Sequence, residues 1–259
     1  MLTRLVKLAR AGILGWLIPR RYICVVCGHG VGGFLPYRNG TSSLSGAMRL
    51  LRLNGSDLDH FECPRCGATD RLRHLKLYME VEGLLTRING ASVLHFAPEK
   101  KLVEMILAAS PHEYVRADIQ PLAPDMMKVD ITQMSFPDDT FDVLIANHVL
   151  EHVDDLGAAM REIERVLAPG GFAILQTPYS LVLTRMFEDR GISTAQARLE
   201  LYGQEDHVRL FGGDIVEQMT QMSGLVSCVR THYDALPAVD AKRYGVNPQE
   251  PFFLFRKGR

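Results

Sequence analysis

The sequence has almost no net charge: 29 Lys and Arg against 30 Asp and Glu leave −1 at pH 7, with a pI near 6.8. That excludes a global polyanion-binding signature, so any nucleic-acid contact would need a local basic patch. A long hydrophobic run is also missing. The uncharged stretch from Ala11 to Ile18 falls far short of the roughly 20 apolar residues that span a bilayer. Cysteine is scarce, five residues in 259, and unevenly placed. Cys24, Cys27, Cys63 and Cys66 form two C-x-x-C pairs, while Cys228 stands alone in an apolar stretch as buried filler. This is metal arithmetic rather than a secreted disulfide framework, and it points to a reducing cytoplasm. No internal repeat is visible. What is present, an apolar share of 47% over 259 residues, suffices for one sizeable α/β core plus a smaller appendage.

Residues 1–21 carry five basic side chains (Arg4, Lys7, Arg10, Arg20, Arg21) and no acid, interleaved with leucines and closed by Pro19. A secretory signal shares the basic start and apolar middle. Here, however, Pro-Arg-Arg-Tyr stands where a small-residue cleavage site belongs. The segment reads as a basic amphipathic helix that packs on the protein itself, with peripheral contact to a membrane surface or a partner as the alternative. Next come Y-I-C-V-V-C-G and F-E-C-P-R-C-G, two C-x-x-C-G knuckles within residues 22–70. The two-residue spacer lets both thiolates face one ion, and the glycine permits the tight turn. Together the knuckles supply the four sulfurs of a closed, structural Zn2+ site, so this region reads as a zinc-ribbon module with an inserted loop. A redox dithiol pair is the rival reading. A helix linking this module to the rest follows over 71–90, with Asp70 as its cap and Asn89-Gly90 as its stop. Its Arg71, Arg73, His74 and Lys76 read as a solvated basic face.

The most informative stretch is residues 127–176. Phe141 to Ala146 is a short apolar run of the kind that forms a strand buried on both faces. Leu156, Ala159, Met160, Ile163, Val166 and Leu167 then recur at helical spacing, with charges on the other face. Pro169-Gly170-Gly171 stops the helix, and Phe172 to Leu175 opens a second apolar strand. Such a strand–helix–strand unit makes a right-handed parallel crossover. F-D-V-L-I-A-N-H-V-L-E-H-V followed by R-V-L-A-P-G-G-F resembles the fourth strand, helix and fifth strand of class I S-adenosylmethionine-dependent methyltransferases. On that resemblance residues 91–259 form the methyltransferase domain, a Rossmann-like seven-stranded α/β sheet whose seventh strand is antiparallel. The other strands are expected at Ala91 onward, Glu113–Asp118, Met127–Asp130, Leu225–Tyr233 and Pro251–Arg256.

The resemblance also implies a site. Ligands of open α/β sheets bind beyond the carboxyl ends of the strands. Asp118, with Ile119 beside it, ends the second strand, where the family's acid accepts the ribose hydroxyls. Asp130 follows the third, where the acid takes the adenine amino group, and Ile131 would pack on the purine. Asn147 would lie near the methionine portion. The first turn departs from the family: H-F-A-P-E-K has no glycine. His95 stands in the usual acid's place, with Phe96 next to it. Ala97 and Glu99 replace glycines, and Glu99 is expected to bind the cofactor's ammonium.

Methyl transfer mainly requires holding the acceptor in line, with a base for an oxygen or nitrogen acceptor. The long connection from Thr177 to Gly212 should overhang the cofactor. In it, Asp206-His207 reads as an oriented imidazole, and Arg209 and Arg185 as clamps for an anionic acceptor. His148 is expected to line the acceptor pocket, while His152 reads as a packed helical histidine. The sequence thus describes a methyltransferase using S-adenosylmethionine on a small-molecule or sugar-type acceptor. Two alternatives stand beside it: an RNA base methyltransferase, and a non-catalytic scaffold, which the glycine-free turn alone supports. The oligomeric state leaves no trace in the sequence.

Overall fold

The computed structural model describes Val6 and residues 9–259. The first part of the expected N-terminal helix therefore lies outside the described residues. The chain divides into two compact units, and the division cuts across the sequence boundaries: one unit comprises residues 1–44, 55–82 and 231–250, the other residues 45–54, 83–230 and 251–259.

In the first unit, residues 9–12 are helical and pass into a π-helical turn, Ile13–Leu17. Gly15 is buried against Pro64 and Arg65. Trp16 and Leu17 are exposed, 70% and 78%, and the Arg65 guanidinium stacks on the Trp16 ring at 3.7 Å. Tyr22–Cys24 and His29–Val31 pair antiparallel across the first knuckle. Its turn closes with Gly28 N–H donating to Cys24 O (2.8 Å), and the second knuckle repeats this with Gly67 N–H to Cys63 O (2.9 Å). Both glycines have positive φ, 71° and 75°, which side chains disfavour.

The helix that follows is shorter than expected, Asp70–Val81, and Gly83 at φ 66° separates it from Leu84–Ile88 in the other unit. Thr69, rather than Asp70, caps it: the Thr69 hydroxyl accepts from Leu72 N–H (3.3 Å). The basic face is not solvated, because Arg73 and His74 are buried at 0% and 1%. Arg73 donates to the carbonyls of Ala68, Phe61, His60, Tyr244 and Gly245 and stacks on Phe34 at 3.7 Å. Five acceptors and an aromatic face compensate a charge that burial would otherwise penalise.

In the second unit the sheet has seven strands: β1 Ser92–Phe96, β2 Glu113–Asp118, β3 Met127–Lys128, β4 Phe141–Ala146, β5 Leu167–Ile174, β6 Val226–Ser227 and β7 Leu254–Arg256. Their spatial order is β6-β7-β5-β4-β1-β2-β3, parallel except for β7, which pairs antiparallel to both β5 and β6. β4 is buried at every position but Asp142, and β1 at every position but Ser92, as strands covered on both faces should be. The amphipathic helix Leu156–Val166 lays Leu156, Ala159, Met160, Ile163 and Val166 on the core.

β5 begins directly at Leu167, earlier than the Pro-Gly-Gly stop implied, and the register between β4 and β5 shifts after Phe141. Gly171 sits in that irregularity; a Cβ there would stand 2.8 Å from Ala168 O and 3.0 Å from Asp142 O. β3 and β6 are two-residue strands, shorter than the sequence suggested. The chain after β6 keeps only a bridge, Arg230 to Phe252, before the helix His232–Ala235 of the first unit. Residues 45–54, expected in the inserted loop of the ribbon, instead fold with the second unit. Leu53–Asn54 pairs with Tyr179–Ser180, and the Ser180 hydroxyl donates to Leu51 O (2.6 Å).

Candidate active site

Beyond the carboxyl ends of β1 to β4, beside the point where strand order reverses, the second unit contains a cavity of about 690 Å3. Its walls follow the strand ends in turn. Phe96 and Ala97 come from β1, Asp118, Ile119 and Gln120 from β2, Val129 to Thr132 from β3, and His148, Val149, His152 and Val153 from the loop after β4. Asp206 comes from the overhanging connection. Of the residues expected to meet a cofactor or acceptor, Phe96, Ala97, Asp118, Ile119, Asp130, Ile131, His148 and Asp206 line one cavity.

The two acids are held the same way. Asp118 Oδ1 accepts from Gln120 N–H (2.8 Å), and Asp130 Oδ1 accepts from Thr132 N–H (2.8 Å) and Thr132 Oγ1 (2.7 Å). Among the described residues neither Oδ2 has a hydrogen-bond partner, so each carboxylate is oriented by one oxygen and offers the other. Ala97 has φ 46°, the left-handed conformation a glycine adopts freely, and its N–H is tied to Ala117 O (2.9 Å). The glycine-free turn thus takes a glycine-like shape. His148 is strained in the same sense, φ 54°, with its N–H on Gln176 O (2.6 Å).

The remaining expectations are redrawn. His95 is fully buried, its Nδ1 2.8 Å from the Tyr114 hydroxyl and its Nε2 without a partner, and burial followed by Arg116 pushes its pKa down to about 3. It cannot stand in for a cofactor-binding acid. Glu99 occupies the N-cap position of the helix Lys100–Ala108 and does not reach the cavity wall. Asn147 is buried, with Oδ1 accepting from Gln176 N–H (3.4 Å). Asp206 does not orient His207. It lies 3.3 Å from His152 Nδ1, while His207 Nδ1 meets Tyr202 O at 3.0 Å.

Arg209 is no clamp. It is 1% exposed and donates to the carbonyls of Leu150, Val153 and Asp154, with Nε on Glu188 (2.8 Å). Arg185 is exposed and away from the cavity.

One buried acid beside the cavity escaped the sequence reading. Glu151, inside the motif N-H-V-L-E-H-V, is 1% exposed and sits among histidines. His148 Nδ1 is 3.5 Å from Oε1, the Thr177 hydroxyl donates to Oε2 (2.9 Å), and His152 and His207 pack edge to face at 4.7 Å. Burial alone would push the Glu151 carboxyl up, but the His148 contact and the neighbouring histidines hold it at about 2. The signal was a carboxylate three residues from one histidine and adjacent to another, in a loop that leaves a buried strand.

In the first unit, Cys24, Cys27, Cys63 and Cys66 bring their sulfurs within 4.8 Å of one another, with Cys24 and Cys66 at 3.7 Å. Bonding to Cys63 and Cys66, then burial, pushes the Cys24 thiol up, while bonds from Cys24 and Cys66 pull Cys63 down. A divalent cation at the centre would take the place of the thiol protons. The donor set is that of a zinc-binding module.

Residues 84–175 match the methyltransferase domain family. Malonyl-[acyl-carrier protein] O-methyltransferase of Yersinia pestis is 30% identical over 110 residues, 40% of each chain. The 2-phytyl-1,4-naphtoquinone methyltransferase of Synechococcus elongatus is 29% identical over 93 residues, 34% of this chain and 40% of that one. The chain thus spans well under half the length of these relatives. Among solved structures, 1,6-didemethyltoxoflavin-N1-methyltransferase of Burkholderia thailandensis, with bound S-adenosylhomocysteine, is 12% identical at a TM-score of 0.48, covering 71% of this chain and 79% of that one. The family match falls on β1 to β5, and the sheet closes on an antiparallel seventh strand, so the second unit carries a matched methyltransferase domain, residues 84–175, on the seven-stranded sheet of the class I fold.

Proposed function

We propose that the protein transfers a methyl group from S-adenosylmethionine to a small-molecule acceptor. The observation that carries this reading is the cavity itself, with two half-satisfied carboxylates on one side and an imidazole–carboxylate cluster on the other. S-adenosylmethionine supplies an electrophilic methyl carbon on a sulfonium. Asp118, at the end of β2, offers Oδ2 to the vicinal ribose hydroxyls, and a carboxylate suits a diol. Asp130 offers Oδ2 toward the adenine amino group, with Ile131 as an apolar face for the ring. Ala97 replaces glycine without closing the turn, because it adopts the left-handed conformation. On the acceptor side, His148, His152 and Asp206 line the wall, and the proton of a hydroxyl or amine acceptor would leave toward them.

The four cysteines of the first unit suit a structural zinc ion, since a closed tetrathiolate leaves no position open for a substrate. An aspartate-rich lining (Asp118, Asp130, Asp154, Asp155 and Asp206) and the small-molecule acceptors named among the relatives favour a small acceptor over a polyanion. Calorimetric titration of the zinc-loaded protein with S-adenosylmethionine and S-adenosylhomocysteine tests the reading. Saturable binding, lost in Asp118→Ala, is expected. Absence of binding in folded, metal-replete protein would overturn it and leave a scaffold.

A further inference from the structure

Glu151, His152 and His207 each bring a ligand-type atom within 4.8 Å of the other two. They come from two distant segments, the loop after β4 and the overhanging connection, so the fold rather than local sequence joins them. The outer nitrogens of both rings are already engaged. His207 Nδ1 faces a backbone carbonyl, Tyr202 O, at 3.0 Å, and only an N–H can satisfy that acceptor. His152 Nδ1 faces the Asp206 carboxylate at 3.3 Å, again an acceptor only. In each ring Nδ1 is thus the engaged nitrogen, and Nε2 is the one left for a cation to take. Glu151, oriented by the Thr177 hydroxyl on Oε2, is an acceptor too. Two imidazoles and a carboxylate thus converge on one point, and a cation at their centre would draw on all three. The outer partners match those that fix metal-bound histidines and carboxylates elsewhere: a carbonyl, a carboxylate and a hydroxyl, one behind each ligand.

Two imidazoles and one carboxylate form the donor set of catalytic zinc sites, in which three protein ligands leave a position open. Of the three, His152 lines the cavity, beside His148 and Asp206, while Glu151 and His207 are buried behind it, so a position left open would be reached past His152 from the acceptor end. We propose that Glu151, His152 and His207 hold a divalent first-row transition metal and that the acceptor is a hydroxyl compound docking on it through oxygen. This rests on the methyl-transfer reading of the same cavity. The metal would lower the pKa of the acceptor hydroxyl, whose proton passes by way of His148 to solvent. The oxygen then forms the O–C bond while the methyl C–S bond breaks and its electron pair stays on sulfur. Imidazole and carboxylate donors suit zinc, cobalt, iron or manganese.

Cobalt is the probe. Full-length protein whose four-cysteine site is filled with Zn2+ is titrated with Co2+ and followed by visible absorption. One further equivalent with weak nitrogen–oxygen ligand-field bands, free of thiolate charge transfer, is expected. Adding catechol, a chelating hydroxyl compound, should shift those bands. His207→Gln should weaken Co2+ binding at least ~10-fold. His152→Gln, at a half-exposed position where folding is less at risk, should do the same. No further uptake, uptake with thiolate bands alone, or uptake unchanged in both variants overturns the metal site, and no response to catechol overturns the acceptor class. Titration of the same samples with S-adenosylhomocysteine separates the two readings. Co2+ uptake without nucleoside binding sinks methyl transfer, whereas nucleoside binding without Co2+ uptake sinks only the metal.

Discussion

Arg209→Ala tests whether this arginine holds the site together or binds the acceptor. Its guanidinium donates four hydrogen bonds, three of them to the carbonyls of Leu150, Val153 and Asp154 that bracket Glu151 and His152. Truncation leaves those carbonyls without their donor, at about 1–3 kcal/mol for each one that stays dry. Water can reach Asp154, which is exposed, but hardly Leu150, which is fully buried. Glu188, at 30% side-chain exposure, recovers hydration and adds little. The sum is about 4 kcal/mol, within the range for breaking a buried pair. For a unit of this size that corresponds to a fall in melting temperature of roughly 8–16 °C. The assay should be far-UV circular dichroism, because the single tryptophan, Trp16, lies in the other unit and would report the wrong transition. Arg209→Lys, keeping one cationic donor group but losing the planar fork, should fall between the two. An Arg209→Ala protein that melts within about 2 °C of the parent would refute the structural role.

Ala97→Gly should be near neutral to mildly stabilising. Relief of about 1–2 kcal/mol of left-handed strain is partly offset by about 0.4–1 kcal/mol of added unfolded-state entropy; a clear drop in melting temperature would contradict the assigned turn. Ala97→Val, by contrast, should weaken S-adenosylhomocysteine binding in calorimetry. Asp70 gives a pH signature. Burial, then the nearby Glu250, pushes its pKa up to about 7, so unfolding lets it release a proton between pH 4 and 7. The folded first unit should therefore lose stability as pH rises through that window and level off above it. Asp70→Asn should flatten the curve and raise stability at pH 8, by up to about 1.4 kcal/mol for each pH unit of the shift; a parent curve flat from pH 4 to 7 in denaturant titrations followed by Trp16 fluorescence would argue against the raised pKa. Cys24→Ser or exhaustive chelation should lower the melting transition of the first unit, seen by the same fluorescence, and identical melting with and without metal would count against a structural zinc.

Much of the second unit was legible because its signals are local. β4, its following helix and the glycines of β5 are set by apolar periodicity and turn chemistry within about forty residues. Asp118 and Asp130 could be placed on the cavity wall from sequence because each stands at or just past a strand end. The side chains that failed are those whose roles depend on partners distant in sequence. Arg209 and Arg73 look like surface cations along the chain, yet each is surrounded by backbone carbonyls that only the tertiary fold supplies. Asp206 and His207 are adjacent in sequence, but their side chains diverge, one to His152 and one to Tyr202 O. Glu151 was visible as a letter in a motif, and what gives it meaning is a histidine 56 positions later. Residues 45–54 were misplaced for a similar reason: their two-residue strand has no partner until Tyr179–Ser180.

The first unit is stitched from three pieces of chain, and the last of them, residues 231–250, supplies Tyr244 O and Gly245 O to the buried Arg73. On the ribosome both C-x-x-C knuckles emerge long before that piece exists. At about 5–20 residues per second, the interval between Glu82 and Thr231 lasts roughly 7–30 s. Through that interval Arg73 lacks two of its five acceptors, and the module must wait half-built while β1 to β6 of the other unit are synthesised. The four thiols are thus on hand to take a metal before the fold around them is complete.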